Sequence, residues 1–279
     1  MASKPLALAL DFKKFTPYVL ETGKFLVKNI YKDSSLILFH IIEHILTPPA
    51  YLLPYLNIEK ELIDQELDKF VQELHKDGIE AEKKILLGEF WTVLRHFVKT
   101  YCPELIIVGY EPHSLKVPTA ERILERLEWS FLVIKDKPLI KLEKILCPFD
   151  FSESSYVALK YSSLFARVTS AQLLILHIIS PPEAWSKSEI TESFIHREKE
   201  VRELWEATAK EELLQGVKYH FEIVQGDSMQ EILNVLLERN IDLIIMGRRG
   251  KMLKSGIGAI TRAIIKTSPK PILLATLEK

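Results

Sequence analysis

Short apolar runs alternate along the chain with longer segments in which apolar residues recur at helical spacing. In the C-terminal half, five runs are short enough for strands, at 144–148, 173–178, 219–224, 243–246 and 272–275. The segments between them predict helices over 154–168, 198–215, 229–239 and 259–267. The N-terminal half predicts strands in the same order, at 6–10, 36–41, 80–86, 105–108 and 131–134.

This pattern predicts one fold class twice over. Strands that alternate with helices favour right-handed crossovers and a parallel sheet covered on both faces, so the class is α/β with doubly wound parallel sheets. The stretch 105–109 returns as 243–247, an offset of 247 − 109 = 138 residues, and Gly88 returns as Gly226 at the same offset. We therefore predict two copies of one domain in the 279 residues, 1–138 and 139–279.

The balance of charge and hydropathy excludes several classes of function. With 37 basic and 38 acidic residues, the chain has no global field that would attract nucleic acid. No apolar run approaches the roughly 18 residues of a membrane span, and the apolar stretch before Asp11 is too short for a signal peptide, so we expect a cytoplasmic protein without a membrane partner. Cys102 and Cys147 stand at non-equivalent positions, which supports neither a disulfide framework nor a cysteine metal site.

A glycine-rich stretch comes after the fourth strand of the second copy. Glycines at 247, 250, 256 and 258 leave the backbone free to wrap an anion with its N–H groups, just before a helix whose positive end adds to the attraction. Arg248 and Arg249 are either phosphate contacts or solvated loop cations. The spacing matches neither a Walker loop nor a GxGxxG fingerprint. The stretch therefore predicts a phosphate cradle of another kind.

The first copy lacks this cradle. Gly109 is followed by Tyr110, Glu111 and Pro112, with no second glycine. Glu111 would place a negative charge where phosphates approach, and Pro112 removes a backbone donor. We expect the first copy to be a structural or regulatory partner without nucleotide.

Several motifs together resemble the universal stress protein family. They are the first-strand stretch 145–152, the second-strand Leu176-His177-Ile178, the Val224-Gln225-Gly226 turn, and the Gly-x2-Gly loop before the strand at Lys270-Pro271-Ile272. The resemblance covers almost the whole chain, once per copy, and suggests a tandem member. It implies the adenine-nucleotide α-hydrolase-like, Rossmann-like fold and a stress-response or signalling role.

The resemblance also implies a ligand, which is ATP or another adenine nucleotide, alone or with Mg²⁺. Family members that bind ATP carry Gly-x2-Gly-x9-Gly-Ser/Thr, whereas this chain has seven residues between Gly250 and Gly258, and Ala259 in place of the hydroxyl residue. Carried over to this sequence, the predicted nucleotide site consists of Pro148, Phe149, Asp150, Ile178, Met246, Gly247, Arg248, Gly250, Gly258, Ala259, Ile260 and Thr261.

No catalytic set emerges from the sequence. It has no nucleophile elbow and no His/carboxylate cluster with metal spacing, so no catalytic residue is assigned, and at most slow ATP hydrolysis is expected. His40 and His177 are expected to be packed residues. A nucleotide-free scaffold and a weak ATP hydrolase remain the alternatives to a binding module. In this family the final strands commonly pair two domains, which predicts an internal pseudo-dimer of the copies and a possible homodimer.

Overall fold

The computed structural model describes residues 3–43, 53–111, 119–181, 187–208, 211–250 and 256–277. Packing divides the chain into two compact units. The first comprises Met1–Ile123 and Ser130–Ile140, and the second comprises Leu124–Trp129 and Lys141–Lys279. The second unit thus includes a six-residue stretch, the 124–129 segment, that lies by sequence within the first repeat.

The first unit contains a five-stranded parallel sheet. Its strands have the order β3-β2-β1-β4-β5, and every neighbouring pair is parallel. The helices connect the strands in alternation along the chain. The elements are β1 (Leu6–Ala9), α1 (Thr16–Asn29), β2 (Leu36–Glu43), α2 (Leu53–Lys76), β3 (Ala81–Gly88), α3 (Phe90–Tyr101), β4 (Leu105–Gly109), α4 (Thr119–Arg126) and β5 (Phe131–Ile134).

The second unit repeats this topology. Its parallel sheet has the order β8-β7-β6-β9-β10, which matches the first sheet strand for strand. The elements are β6 (Lys144–Pro148), α5 (Glu153–Thr169), β7 (Gln172–Ile179), α6 (Lys187–Thr208), α7 (Glu211–Leu214), β8 (Tyr219–Gln225), α8 (Ser228–Glu238), β9 (Leu243–Gly247), α9 (Ala259–Thr267) and β10 (Ile272–Ala275).

The central strands form the core of each unit. Leu6, Ala7 and Leu8 of β1 are completely buried, as are Ile145 and Leu146 of β6. A strand covered by helices on both faces reads as a continuous apolar run, which explains why these strands were recognisable in the sequence. The predicted α/β class with doubly wound parallel sheets is confirmed.

The largest difference from the predicted elements concerns one helix of the second unit. The sequence predicts a helix over 198–215, whereas α6 begins at Lys187 and ends at Thr208, and a single turn, α7, comes next at Glu211–Leu214. The early part of α6 has mixed charge and little apolar periodicity, so the pattern gave no signal for it. Within the described ranges, no helix is both long enough and apolar enough to cross a lipid bilayer.

Candidate functional site

A cavity of about 280 Å³ lies at the carboxyl ends of β6, β7 and β9. Strand β6 pairs with β7 on one side and with β9 on the other, so the chain order reverses at this point of the sheet. In open α/β sheets, the loops that leave strands on either side of such a reversal diverge and open a crevice, which is where ligands bind. The topology therefore places a cavity where the glycine-rich stretch begins.

The cavity brings together eleven of the twelve predicted site residues, all except Arg248. These eleven are Pro148, Phe149, Asp150, Ile178, Met246, Gly247, Gly250, Gly258, Ala259, Ile260 and Thr261. They come from the ends of three strands and from the start of α9. Residues 251–255, between the two halves of the glycine-rich stretch, lie outside the described residues. We call the described parts of that stretch, 247–250 and 256–258, the glycine loop.

Five further residues line the cavity: Ser155, Leu176, Ser228, Ile232 and Arg249. Sequence reasoning weighed Arg249 but did not select it, and it missed the other four. Leu176 could have been found from its place two residues before Ile178 in the same strand, because alternate residues share a face. Ser228 and Ile232 lie in the first turns of α8, which no motif marked.

The turn after β6 holds Asp150 at the mouth of the cavity. The carboxylate Oδ1 of Asp150 accepts a hydrogen bond from the backbone N–H of Ser152 at 3.0 Å. Between them, Phe151 adopts a left-handed backbone conformation with φ of 60°, which is uncommon for a bulky residue. His177 is packed into the same turn, where its Nδ1 donates to the carbonyl oxygen of Phe149 at 2.7 Å. The hydrogen bonds of this turn fix the orientation of Asp150, and His177 has a structural role in the turn.

The first unit contains the same turn. Phe12 is left-handed with φ of 56°, and Nδ1 of His40 donates to the carbonyl oxygen of Leu10 at 2.6 Å. Asp11 Oδ1 accepts from the backbone N–H of Lys13 at 3.0 Å. Since the first repeat lacks the glycine-rich stretch, this strained turn is a property of the fold and does not by itself mark a ligand site.

Gly247 is required by helix packing. A Cβ atom at this position would lie 2.8 Å from the backbone carbonyl carbon of Ser154, in the first turn of α5. Gly109 has the same constraint in the first unit, where a Cβ would lie 2.3 Å from Cβ of Phe15. The glycine that both repeats retain therefore allows a helix to approach a strand end, whereas Gly250 and Gly258 are found only in the second repeat.

The start of α9 borders the cavity, and no side chain caps it. Gly258 is the N-cap residue and provides no side-chain cap, so the N–H groups of the first turn have no partner from a capping side chain. Ala259 and Ile260 are exposed, and both line the cavity. The Thr261 hydroxyl donates to the carbonyl oxygen of Gly247 at 3.2 Å, which ties the helix start to the end of β9. Together with the helix dipole, this arrangement suits an anion.

The two arginines of the glycine loop have opposite placements. Arg249 lines the cavity, and its Nη1 lies 3.2 Å from Oε1 of Glu128. Arg248 is completely buried and does not line the cavity, because its side chain donates to the backbone carbonyl groups of Leu124 and Leu127 instead. The structure therefore places Arg248 away from the cavity, and Arg249 is a described cation that lines it. The equivalent of Arg248 in the first copy is the aromatic Tyr110.

At the carboxyl edge of the first sheet, a cavity is lined by different elements from those that line the cavity of the second unit. A cavity beside Asp11 is formed by Phe12, Thr16, His40 and residues of α2, and no residue of β4 lines it among those described. Tyr110, the residue after β4, is buried. Residues 112–118, where the sequence lacks the glycines, are outside the described ranges.

Metal-binding side chains are not clustered in the described part of the chain. No group of three or more His, Cys, Asp or Glu residues there is arranged to hold a metal ion. Cys147 is buried in β6, and burial raises the pKa of its thiol to about 12, so it is an inert core residue.

Comparisons with known proteins converge on one family. Residues 141–276 match the model of the universal stress protein family. Two proteins of Methanocaldococcus jannaschii are each 28% identical to the aligned part of this chain. Universal stress protein MJ0577 aligns over 155 residues, which cover 48% of this chain and 95% of that protein. Universal stress protein MJ0531 aligns over 145 residues, which cover 49% of this chain and 84% of that protein. Over the whole length, the fold is that of a crystal structure of a universal stress protein from Archaeoglobus fulgidus, with a TM-score of 0.73, 20% identity, and 98% of this chain and 96% of that chain covered.

Proposed function

Because residues 141–276 match the universal stress protein family, we propose that the second unit is a binding module for an adenine nucleotide, with ATP as the first candidate. The module would act in a stress response or in signalling through ligand occupancy rather than through turnover. The first unit would serve as its structural or regulatory partner and would bind no nucleotide of its own.

The observation that carries this proposal is the convergence of eleven predicted site residues on one cavity at the point where the strand order reverses. Those residues were selected from motifs that are up to 113 positions apart in the sequence, from Pro148 to Thr261 (261 − 148 = 113). A Gly-rich turn that only shaped the surface would not require apolar strand ends and polar loop residues to meet around a common space.

The lining suggests how the ligand would lie. Ile178 and Leu176 offer an apolar wall for the adenine ring, and the backbone at Pro148 and Phe149 flanks the base and ribose. The phosphates would lie against the glycine loop and the N–H groups at the start of α9, within reach of Arg249. Mg²⁺, if it accompanies the nucleotide, would be held chiefly by phosphate oxygens, with Asp150 as the carboxylate that lines the cavity.

Assembly belongs to the same proposal. We infer from the family pattern that the final strands of the two repeats, β5 and β10, support an internal pseudo-dimer, and that the chain can form a homodimer. Sedimentation of the full chain with and without ATP would test whether assembly responds to the ligand. A sedimentation coefficient that is independent of ATP would contradict a link between binding and assembly.

The decisive experiment is mass spectrometry of small molecules released from freshly purified, denatured protein, followed by calorimetric titration with ATP. Adenine nucleotide at about one per chain is the expected result, and two per chain would contradict the division between the units. Release of ADP and phosphate at a rate that an Asp150→Asn variant abolishes would favour the hydrolase. No binding at millimolar ATP would favour the nucleotide-free scaffold.

A further inference from the structure

Arg248 holds two separate stretches of the second unit together. Its guanidinium group donates to the carbonyl oxygens of Leu124 and Leu127, at the end of α4. Nε of the same side chain donates to the carbonyl oxygen of Gly256 at 3.2 Å. One completely buried side chain therefore joins the 124–129 segment to the far end of the glycine loop.

The backbone of Arg248 extends these connections. Its N–H donates to the carbonyl oxygen of Ala275 in β10 at 3.1 Å, and its carbonyl oxygen accepts from the N–H of Gly258 at 3.0 Å. Gly258 is the N-cap residue of α9 and lines the cavity. The position of the helix start thus depends on the position of Arg248, and the position of Arg248 depends on the carbonyl groups that its side chain binds.

Carbonyl groups surround the charge of Arg248. Burial, with a smaller contribution from Arg249, lowers the pKa of Arg248 to about 10, so the guanidinium group keeps its charge at neutral pH. The last carbonyl groups of a helix lack intrahelical partners and form the negative end of the helix dipole, which suits a cation. Because a buried charge without partners is strongly unfavourable, the 124–129 segment and the glycine loop cannot separate at low cost.

Two ion pairs join the same segment to two further arginines. Nη1 of Arg249 lies 3.2 Å from Oε1 of Glu128, and Nη2 of Arg262 lies 3.2 Å from Oε1 of Glu125. Four of the six residues in the 124–129 segment therefore bind arginines of the glycine loop or of α9. By sequence, this segment belongs to the first repeat, yet it packs within the second unit.

We propose that the 124–129 segment is an integral part of the nucleotide site, and that Arg248 is the positioning residue that fixes the glycine loop around the ligand. Arg248 does not touch the ligand; it acts through Gly247, Gly250 and Gly258, which line the cavity. The inference rests on the proposed function for the identity of the ligand. The coupling between segment and loop exists without ligand and can be measured without it.

The first test is hydrogen exchange of the ligand-free full chain. In Arg248→Lys, a single ammonium group replaces a planar fork and cannot reach three separated carbonyl groups, although the charge is kept. We expect amides of the 124–129 segment and of residues 256–258 to exchange at least tenfold faster, and both stretches to change together. Arg262→Gln is the matched control, because it removes a half-exposed ion pair from the same segment. In this control, the exchange rates of the amides at residues 256–258 should change less than twofold.

The second test is the affinity for ATP, measured by calorimetry on the same proteins. We expect Arg248→Lys to weaken binding about tenfold, Arg248→Met to weaken it further, and Arg262→Gln to leave it within twofold. Tighter ATP binding by Arg248→Lys than by Arg248→Met would show that the positive charge at this position matters, and not only the volume of the side chain.

The outcomes separate the two proposals. If the wild-type chain binds no adenine nucleotide, the proposed function fails, and the exchange comparison alone decides the coupling. If ATP binds equally well to Arg248→Lys and to the wild type, the inference is overturned while the function stands. Exchange that rises in only one of the two stretches overturns it as well.

If Arg248→Lys does not fold, Glu128→Gln replaces it in the exchange experiment. We then expect at least threefold faster hydrogen exchange in the 124–129 segment and at residues 248–250. Unchanged exchange at both places contradicts the coupling.

Discussion

The residue after the repeated glycine is buried in both units, but it is Tyr110 in the first and Arg248 in the second. The Tyr110 ring packs under the ammonium group of Lys135, whose Nζ lies 5.1 Å from the ring centroid, and the hydroxyl lies 3.4 Å from Oε2 of Glu121. Arg248 instead binds backbone carbonyl groups and the glycine loop. One position of the fold thus anchors a local cluster in the first unit and the glycine loop in the second.

The two units share a framework and differ in the loop attached to it. Both keep the glycine at the strand end, the left-handed phenylalanine and the histidine that packs against it. Only the second adds Gly250 and Gly258, which line a cavity. Framework residues should respond alike to substitution in the two units, and loop residues should not.

The largest effect is expected from the shared glycine. In Gly109→Ala and Gly247→Ala, the new methyl group would overlap Phe15 or the backbone of Ser154, so a helix must move away from its sheet. We expect each change to destabilise its unit by about 3 kcal/mol, measured from urea unfolding with hydrogen exchange to identify the unit that opens. Gly258→Ala is the control, since its nearest neighbour would be at 3.5 Å, an ordinary contact. Unchanged urea midpoints in both alanine variants would show that the glycine serves another purpose.

The next largest effect should be confined to the second unit. A Cβ atom at Gly250 would lie 3.1 Å from Oδ2 of Asp150, so Gly250→Asp brings a second carboxylate to the side of the cavity where we propose that the phosphates bind. We expect ATP affinity to fall at least 30-fold, which corresponds to about 2 kcal/mol, in a calorimetric titration. Gly250→Ala separates size from charge and should cost only a few-fold. If Gly250→Asp binds ATP as tightly as the wild type, the phosphates do not lie against this loop.

The buried cation of the first unit should make stability depend on pH. Burial lowers the pKa of Lys135 to about 8, whereas the unfolded chain has the ordinary value of 10.5. The unfolded state therefore holds more protons between these values, and stability should rise with pH through that window, by up to about 1.4 kcal/mol per pH unit. Urea midpoints at pH 7.5 and 9.5 should increase for the wild type and stay nearly level for Lys135→Met. If the urea midpoints of the wild type and of Lys135→Met change equally with pH, Lys135 is not the cause of the pH dependence.

The smallest effect tests two helix caps at equivalent positions. The Asp227 side chain accepts from the N–H of Gln230 at 2.9 Å, and Glu89 accepts from the N–H groups of Trp91 and Thr92. Asp227→Ala should lower the free energy of unfolding of the second unit by about 1 kcal/mol, and Glu89→Ala should also destabilise the first unit.

The cap at Glu89 should depend on pH. Hydrogen bonds from Thr92 and from the backbone lower the pKa of Glu89, so its contribution to stability is present above the ordinary pKa of 4.5 and is lost as pH falls through the lowered value. Thermal unfolding at pH 7 and pH 3 checks both, and equal losses for Glu89→Ala at the two pH values would contradict the capping role.

Most of the fold could be predicted because buried parallel strands are continuous apolar runs. The predicted strands at 144–148 and 272–275 coincide with β6 and β10. The helix end at 267 was predicted from the proline beyond it, and the helix predicted over 229–239 lies one residue from α8 at each end. The start of α6 was not predicted, because its first turns mix charged, polar and apolar residues with little apolar periodicity.

The site was predictable as far as backbone motifs define it. Gly250 and Gly258 were selected from the glycine-rich stretch and Asp150 from the family resemblance, and all three line the cavity. The direction of Arg248 was not, since a cation in a loop gives no sign of the carbonyl groups that it will meet. Those groups belong to Leu124 and Leu127, more than a hundred residues earlier, and sequence spacing carries no record of such a meeting.

The 124–129 segment has a consequence for where this chain can be divided. A gene divided at the sequence boundary near residue 138 would encode a second half that lacks the carbonyl groups of Leu124 and Leu127, and would leave the Arg248 cation buried without them. The second unit therefore needs the end of the first repeat as well as the second repeat, so the boundary between the packed units and the boundary between the repeats do not coincide.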